Sequence, residues 1–127
     1  MKVIGKFTWL IPDCFLPPIK LEQYAQDYVS HDAICVLNAG DVDANISITL
    51  YYSDREPIED LKAICPARRT NHVRMDQMKD HNGDPLPTGV PYAALVTSDT
   101  PIVVQYSRLD ATQNNNALMT TIAWPMP

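Results

Sequence analysis

The chain has 127 residues, 46% of them hydrophobic and 20% charged, which is enough to bury a core without disulfides or metal and too apolar for a disordered segment. Its formal net charge is −5 and its pI is about 4.9. Such a chain repels phosphate backbones and anionic lipid as a whole, so nucleic acid is not a favoured partner without a local basic patch. One domain spanning residues 1–127 is the expected organisation.

Lys2 to Leu10 predicts a first strand, with Val3, Phe7 and Trp9 on one face and Pro12 ending it. Residues 13–29 contain Pro17-Pro18 and a short polar run, and read as a loop with one helical turn. His31 to Leu37 is apolar on both faces, as expected of a strand covered on both sides. Asn38-Ala39-Gly40-Asp41 supplies turn chemistry. Ile46, Ile48, Leu50 and Tyr52 then alternate with Ser47, Thr49 and Tyr51, the period of a half-buried strand.

After a turn at Arg55-Glu56-Pro57, Leu61 to Cys65 predicts a short strand stopped by Pro66. If residues 67–75 are extended, Arg68, Thr70, His72 and Arg74 share one face while Val73 and Met75 turn inward. Residues 76–91 form the longest loop, with a turn at Asn82-Gly83-Asp84. Tyr92–Thr97 and Ile102–Leu109 predict two strands separated by Ser98-Asp99-Thr100-Pro101. Gln113 to Asn116 reads as a polar turn, and Leu118, Thr120, Ile122 and Trp124 alternate in a last strand.

Eleven prolines against four glycines, most of them between the apolar runs, punctuate a series of short strands. The fold class this predicts is all-β: an antiparallel β-sandwich of roughly seven to eight strands, jelly-roll-like or carbohydrate-binding-module-like. Cys14, Cys35 and Cys65 are odd in number and irregular in spacing, which favours reduced thiols in the cytoplasm over a disulfide framework. The N-terminus has no apolar segment and cleavage site of the secretory kind, and no run approaches the roughly 18–20 apolar residues needed to span a bilayer. Cytoplasmic localisation is therefore expected.

The candidate binding residues are Arg68, Arg69, His72 and Arg74, the one local concentration of positive charge in an acidic chain. A row of cations on one strand can clamp a carboxylate, a phosphate or an acidic protein surface; the ordinary alternative is a solvated face paired with nearby Asp and Glu. Arg108 and Asp110 share one face of an extended chain and form a second candidate element, with a structural ion pair as the favoured reading. No metal is expected: His31, Cys35, His72 and His81 have the wrong spacing for zinc. Asp41-x-Asp43-x-Asn45 opens like a calcium loop, but Ile46 and Tyr52 stand where a glycine and the distal glutamate belong. No nucleophile elbow, HExxH or phosphate-binding glycine loop is present, so binding is expected rather than catalysis, with no cofactor.

Five strings in sequence order carry a resemblance: Ser30-His31; Cys35-x-Leu37-Asn38-Ala39-Gly40-Asp41; Tyr51-Tyr52-Ser53-Asp54; Pro66-Ala67-Arg68-Arg69-Thr70 with His72 and Arg74; and Pro101-Ile102-Val103-Val104-Gln105 with Arg108-Leu109-Asp110. Together they resemble the sensory rhodopsin transducer family from about Trp9 to Trp124. The resemblance implies a small soluble β-sandwich that assembles as a homotetramer. It also implies docking on the cytoplasmic face of a seven-helix retinal photoreceptor, whose light signal the protein relays. It leaves two further readings open: a module for a sugar or sugar acid, for which Tyr51, Tyr52, Tyr92 or Tyr106 would have to stand exposed beside the arginines, and a role at DNA. No catalytic residues come with it.

Overall fold

The structure, a computed structural model, describes residues 3–18, 30–111 and 117–127. Among them are eight strands: β1 (Lys6–Phe15), β2 (His31–Asn38), β3 (Ala44–Tyr52), β4 (Ile58–Cys65), β5 (Arg69–Arg74), β6 (Pro91–Asp110), β7 (Ala117–Ile122) and β8 (Trp124–Pro125). All pairings between them are antiparallel. The strands form a β-sandwich of two sheets that share β6. The first half of β6 lies between β3 and β1, giving the order β4-β3-β6-β1-β8. The second half lies between β2 and β7, giving β5-β2-β6-β7.

Alternation decides what is buried. Ile46, Ile48 and Leu50 of β3, Ile34 and Val36 of β2, and Val96, Ile102, Val104 and Tyr106 of β6 are essentially inaccessible and belong to one core cluster. Strand residues of opposite parity line the two outer faces, as the pleat requires.

Two expected breaks are not breaks. Ser98-Asp99-Thr100-Pro101 has turn composition, yet β6 runs through it as one 20-residue strand. The pairing with β3 ends at Ile46↔Ser98, and that with β2 begins at Leu37↔Val103. Pro101 therefore sits where β6 changes sheets and its missing N–H deprives no ladder. Likewise Pro12 does not end β1, which continues to Phe15. The register shifts by one between Ile11↔Ala94 and Cys14↔Tyr92, a bulge that absorbs the proline. A second irregularity between Lys6 and Thr8 separates Phe7, more than half exposed, from buried Trp9, which were expected on one face. β4 also begins earlier than expected, at Ile58, and β5 excludes Arg68. The helical turn expected within 13–29 falls mostly on residues outside those described, as does the polar turn at 113–116.

The crossing of β6 is fastened from β1. The Trp9 indole N–H donates to the Ile102 carbonyl at 3.0 Å and to the Lys6 carbonyl at 3.1 Å. Gly5, at φ +104°, lies so close that a Cβ there would stand 2.2 Å from the Ile102 oxygen. At the neighbouring end, buried Asn38 joins two turns. Its Oδ1 accepts from the Gly40 N–H at 3.0 Å, while Nδ2 donates to the Val42 carbonyl at 2.8 Å and the Cys65 carbonyl at 3.0 Å.

Replacing Gly5 with Ala combines backbone strain with a clash against main chain, and should lower stability by about 3 kcal/mol in urea unfolding. Gly83→Ala, at φ +84° in open space, should cost only about 1 kcal/mol. Asn38→Ala removes three hydrogen bonds and leaves the buried Cys65 carbonyl without this donor, so a loss of about 3 kcal/mol is expected by the same measurement.

Candidate functional site

The basic stripe separates into parts once folded. Arg68 precedes β5 in the β4–β5 turn, in the left-handed region at φ 57°. That turn is stitched to the β2–β3 turn: the Arg68 N–H donates to the Gly40 carbonyl at 3.1 Å, and the Ala67 N–H to Asp43 Oδ1 at 2.9 Å. The Arg68 side chain is 76% exposed and its contact with Asp41 is long, 3.7 Å. An ion pair this exposed holds the side chain weakly. Arg68 thus lines an open depression with Val3, Ile4, Gly40, Val42 and Pro101, of about 550 Å³. Asn38, read in the sequence only as a turn residue, is what positions this end.

Within β5, Thr70, His72 and Arg74 do share a face, and Val73 and Met75 are buried as expected. The register places His72 opposite Cys35, and Cys35 opposite Gln105. The outer face of this sheet therefore carries exposed His72 and Thr70 beside Leu37, with Leu118 and Ile122 of β7 at its far edge. Arg69 has the parity of Val73 and leaves the strand on the side opposite Thr70, His72 and Arg74, its Nη1 donating to the Arg68 carbonyl at 3.0 Å. Arg74 is already engaged. Its Nε and Nη2 each donate to Asp76 at 2.7 Å, and the Asp76 side chain is only 7% exposed. This fork, two residues apart across a turn, has no periodic signature in the sequence.

Arg108 lies opposite Asp32, whereas Arg69 lies opposite Asn38. Arg69 and Arg108 thus stand at opposite ends of β2, about 20 Å apart at the rise of a strand, whereas Arg74, opposite Ala33, lies at the Arg108 end. The Arg108 guanidinium sits 5.7 Å from the Phe15 ring centroid, and Nη2 donates to Met119 Sδ at 3.4 Å. Asp110, on the same side of β6, pairs in register with Ala117.

Beneath Arg108 is a polar cluster that sequence reading missed. Asp32 is inaccessible, and its Oδ2 receives the Tyr92 hydroxyl at 2.5 Å and the Tyr106 hydroxyl at 2.7 Å. Its Oδ1 is buried without a hydrogen-bond partner among the described residues. Burial pushes the carboxyl up from its ordinary range, against the opposing hydrogen bonds of the two tyrosines. Burial likewise raises the Tyr92 and Tyr106 hydroxyls and the Cys14 thiol, with the Asp32 charge adding to each. A signal was available in principle: an aspartate whose strand neighbours Ala33, Ile34 and Val36 are all buried must itself find buried donors.

The rings that a sugar would need are unevenly placed. Tyr92 and Tyr106 are buried, so neither is a platform; Tyr51 is exposed, and half-buried Tyr52 carries the Arg55 guanidinium 5.5 Å from its centroid. Among the described residues no group of three or more His, Cys, Asp or Glu side chains is arranged to hold a metal ion.

Residues 4–125 match the family described as Anabaena sensory rhodopsin transducer. None of the curated proteins matches the sequence. Two solved structures are similar to it. That of Thermotoga maritima 1070 is 32% identical with a TM-score of 0.82, covering 96% of each chain. That of the Anabaena sensory rhodopsin transducer is 40% identical with a TM-score of 0.74, covering 89% of this chain and 96% of the other. The match over nearly the full length, together with the shared sandwich, means that this chain belongs to the Anabaena sensory rhodopsin transducer family.

Proposed function

We propose that the protein is a transducer that acts by binding: a cytoplasmic homo-oligomer, tetrameric in its working form, that docks on the cytoplasmic face of a retinal photoreceptor and relays its state. Membership of the transducer family over residues 4–125 carries this reading. The surface supports it in two ways. Arg68, Arg69 and His72 are exposed and bear no part of the core, so their polar groups are open to a partner. The edge strand β7 is exposed along its whole length, with Leu118 at 71% and Ile122 at 64%. An apolar edge of this kind is a surface that native proteins cover, here by a second copy. Arg74 and Arg108 lie outside the proposed contact set, because their guanidinium groups already serve Asp76 and the Phe15 end of β1.

Titration of the protein, its solution mass established by light scattering, against a sensory rhodopsin in lipid nanodiscs tests this. The double variant Arg68→Ala with Arg69→Ala should weaken binding at least tenfold and leave the melting temperature nearly unchanged, because exposed side chains contribute little to stability. Arg74→Ala should behave in the opposite way. It leaves the Asp76 carboxylate without its fork, and should reduce stability by about 2 kcal/mol in urea unfolding while any change in affinity remains small. Equal affinity of the double variant and the native protein would remove Arg68 and Arg69 from the contact surface. Absence of binding by a well-folded native tetramer would remove the photoreceptor as partner.

A further inference from the structure

We propose that Asp32 is a proton-operated latch between the two sheets: neutral, it ties the end of β1 to β6, and ionised, it lets that end go. Four contacts converge on the pair formed by Asp32 Oδ2 and the Tyr106 hydroxyl. The Phe15 N–H donates to Tyr106 Oη at 2.9 Å, and Tyr106 Oη lies 3.1 Å from the Phe15 carbonyl. Tyr106 Oη is also 2.7 Å from Asp32 Oδ2, which the Tyr92 hydroxyl reaches at 2.5 Å.

A hydroxyl carries one hydrogen, so Tyr106 cannot donate to both Asp32 and the Phe15 carbonyl. If Asp32 is ionised, three protons serve four contacts and the Phe15 carbonyl loses its donor. If Asp32 is a carboxylic acid, its Oδ2–H donates to Tyr106 Oη, the Tyr106 hydroxyl donates to the Phe15 carbonyl, and all four contacts are hydrogen bonds. The residue opposite Phe15 in the ladder is Pro91, which has no N–H to offer as a substitute. The buried Oδ1 points the same way: an unpaired neutral carbonyl oxygen is far less costly than an unpaired carboxylate oxygen.

Among the described residues, the titratable and charged groups around Asp32 come from four strands. From β1 there are Cys14 and, acting on that thiol, Asp13; from the end of β3 there is Tyr52; from the end of β5 and the following turn there are Arg74 and Asp76; from β6 there are Tyr92, Tyr106 and Arg108. Asp76 favours the neutral acid and Arg108 the carboxylate, with burial the dominant influence toward the acid. Loss of the proton would draw the Tyr106 hydrogen toward Asp32 and free the Phe15 carbonyl. The strand end that Arg108 covers would then loosen.

An unfolded aspartate ionises near pH ~4. Above that pH the native state holds one proton more than the unfolded state, so this group's contribution to stability falls as pH rises, until the native carboxyl itself ionises. The experiment is thermal unfolding of the full chain and of Asp32→Asn from pH 5 to pH 9. The native melting temperature should fall with pH by several degrees relative to the variant, whatever the variant's absolute stability. Parallel curves would overturn the proposal. Should the variant not fold, infrared spectroscopy of the native protein decides the matter with aspartate carbon-13 labelling. A buried carboxylic-acid C=O band at neutral pH that disappears on alkalinisation is the expected result. Its absence throughout would overturn the proposal.

Discussion

One strand has to satisfy two sheets at once, and the rest of the structure is arranged around that requirement. Each half of β6 is flanked on both sides, by β1 and β3 and then by β2 and β7. A strand with neighbours on both edges has its N–H and C=O groups consumed throughout. The exception is the crossing, where side chains and a neighbouring strand take over. Asp99 accepts from the Asn45 backbone N–H and side-chain amide at 2.9 and 2.7 Å, and the Ile102 carbonyl receives the Trp9 indole. Since the two sheets are covalently one strand there, neither can slide against the other without breaking those ties. That is why Gly5 must bring β1 against Ile102 with no side chain between them.

This also explains which elements were legible in the sequence. The alternation of Ile46, Ile48 and Leu50 reports a strand with one face in the core, and burial follows it. The His31–Leu37 run is apolar on both faces, which predicts a strand covered on both sides; Ile34 and Val36 are buried in the core, but on the outer face Leu37 is exposed and Cys35 half-buried. Proline misled at Pro12 and Pro101 for a single reason. Its missing N–H excludes it from a continuous ladder, and local sequence does not reveal where a ladder is already interrupted by a bulge or a change of sheet. The left-handed backbone of Arg68 was equally hidden, because it is imposed by Gly40 and Asp43 from another turn.

The arginines show the same limit at the level of function. Spacing alone makes Arg68 and Arg74 equivalent members of one stripe. What separates them is the partner: a long contact to an exposed aspartate in one case, a two-pronged fork to a nearly buried one in the other. The fork is made across Met75, which is inaccessible and holds the turn through its N–H to the Asp32 carbonyl at 3.0 Å. A cation committed in this way is part of the scaffold, and its distance from the nearest carboxylate is a three-dimensional fact that no alternation pattern encodes.

The two ends of β2 solve one problem with different chemistry. Asn38 and Asp32 are both inaccessible, both on the core side of the strand, and both gather groups from elsewhere in the chain. At Asn38 the partners are one backbone N–H and two backbone carbonyls, and an amide matches that set with one acceptor and two donors at every pH. At Asp32 the partners are two hydroxyls meeting on one oxygen, while the other oxygen faces no donor. An amide would fit less well in either orientation: with its oxygen between the tyrosines the Phe15 carbonyl loses its donor, and with its NH2 there the Tyr92 hydroxyl loses the acceptor it has at Asp32. A carboxylic acid fits, because its single proton sits on the oxygen between the hydroxyls and its bare oxygen asks little. The geometry therefore selects an acid over an amide at one end of the strand and an amide over an acid at the other. Only the acid end can respond to pH.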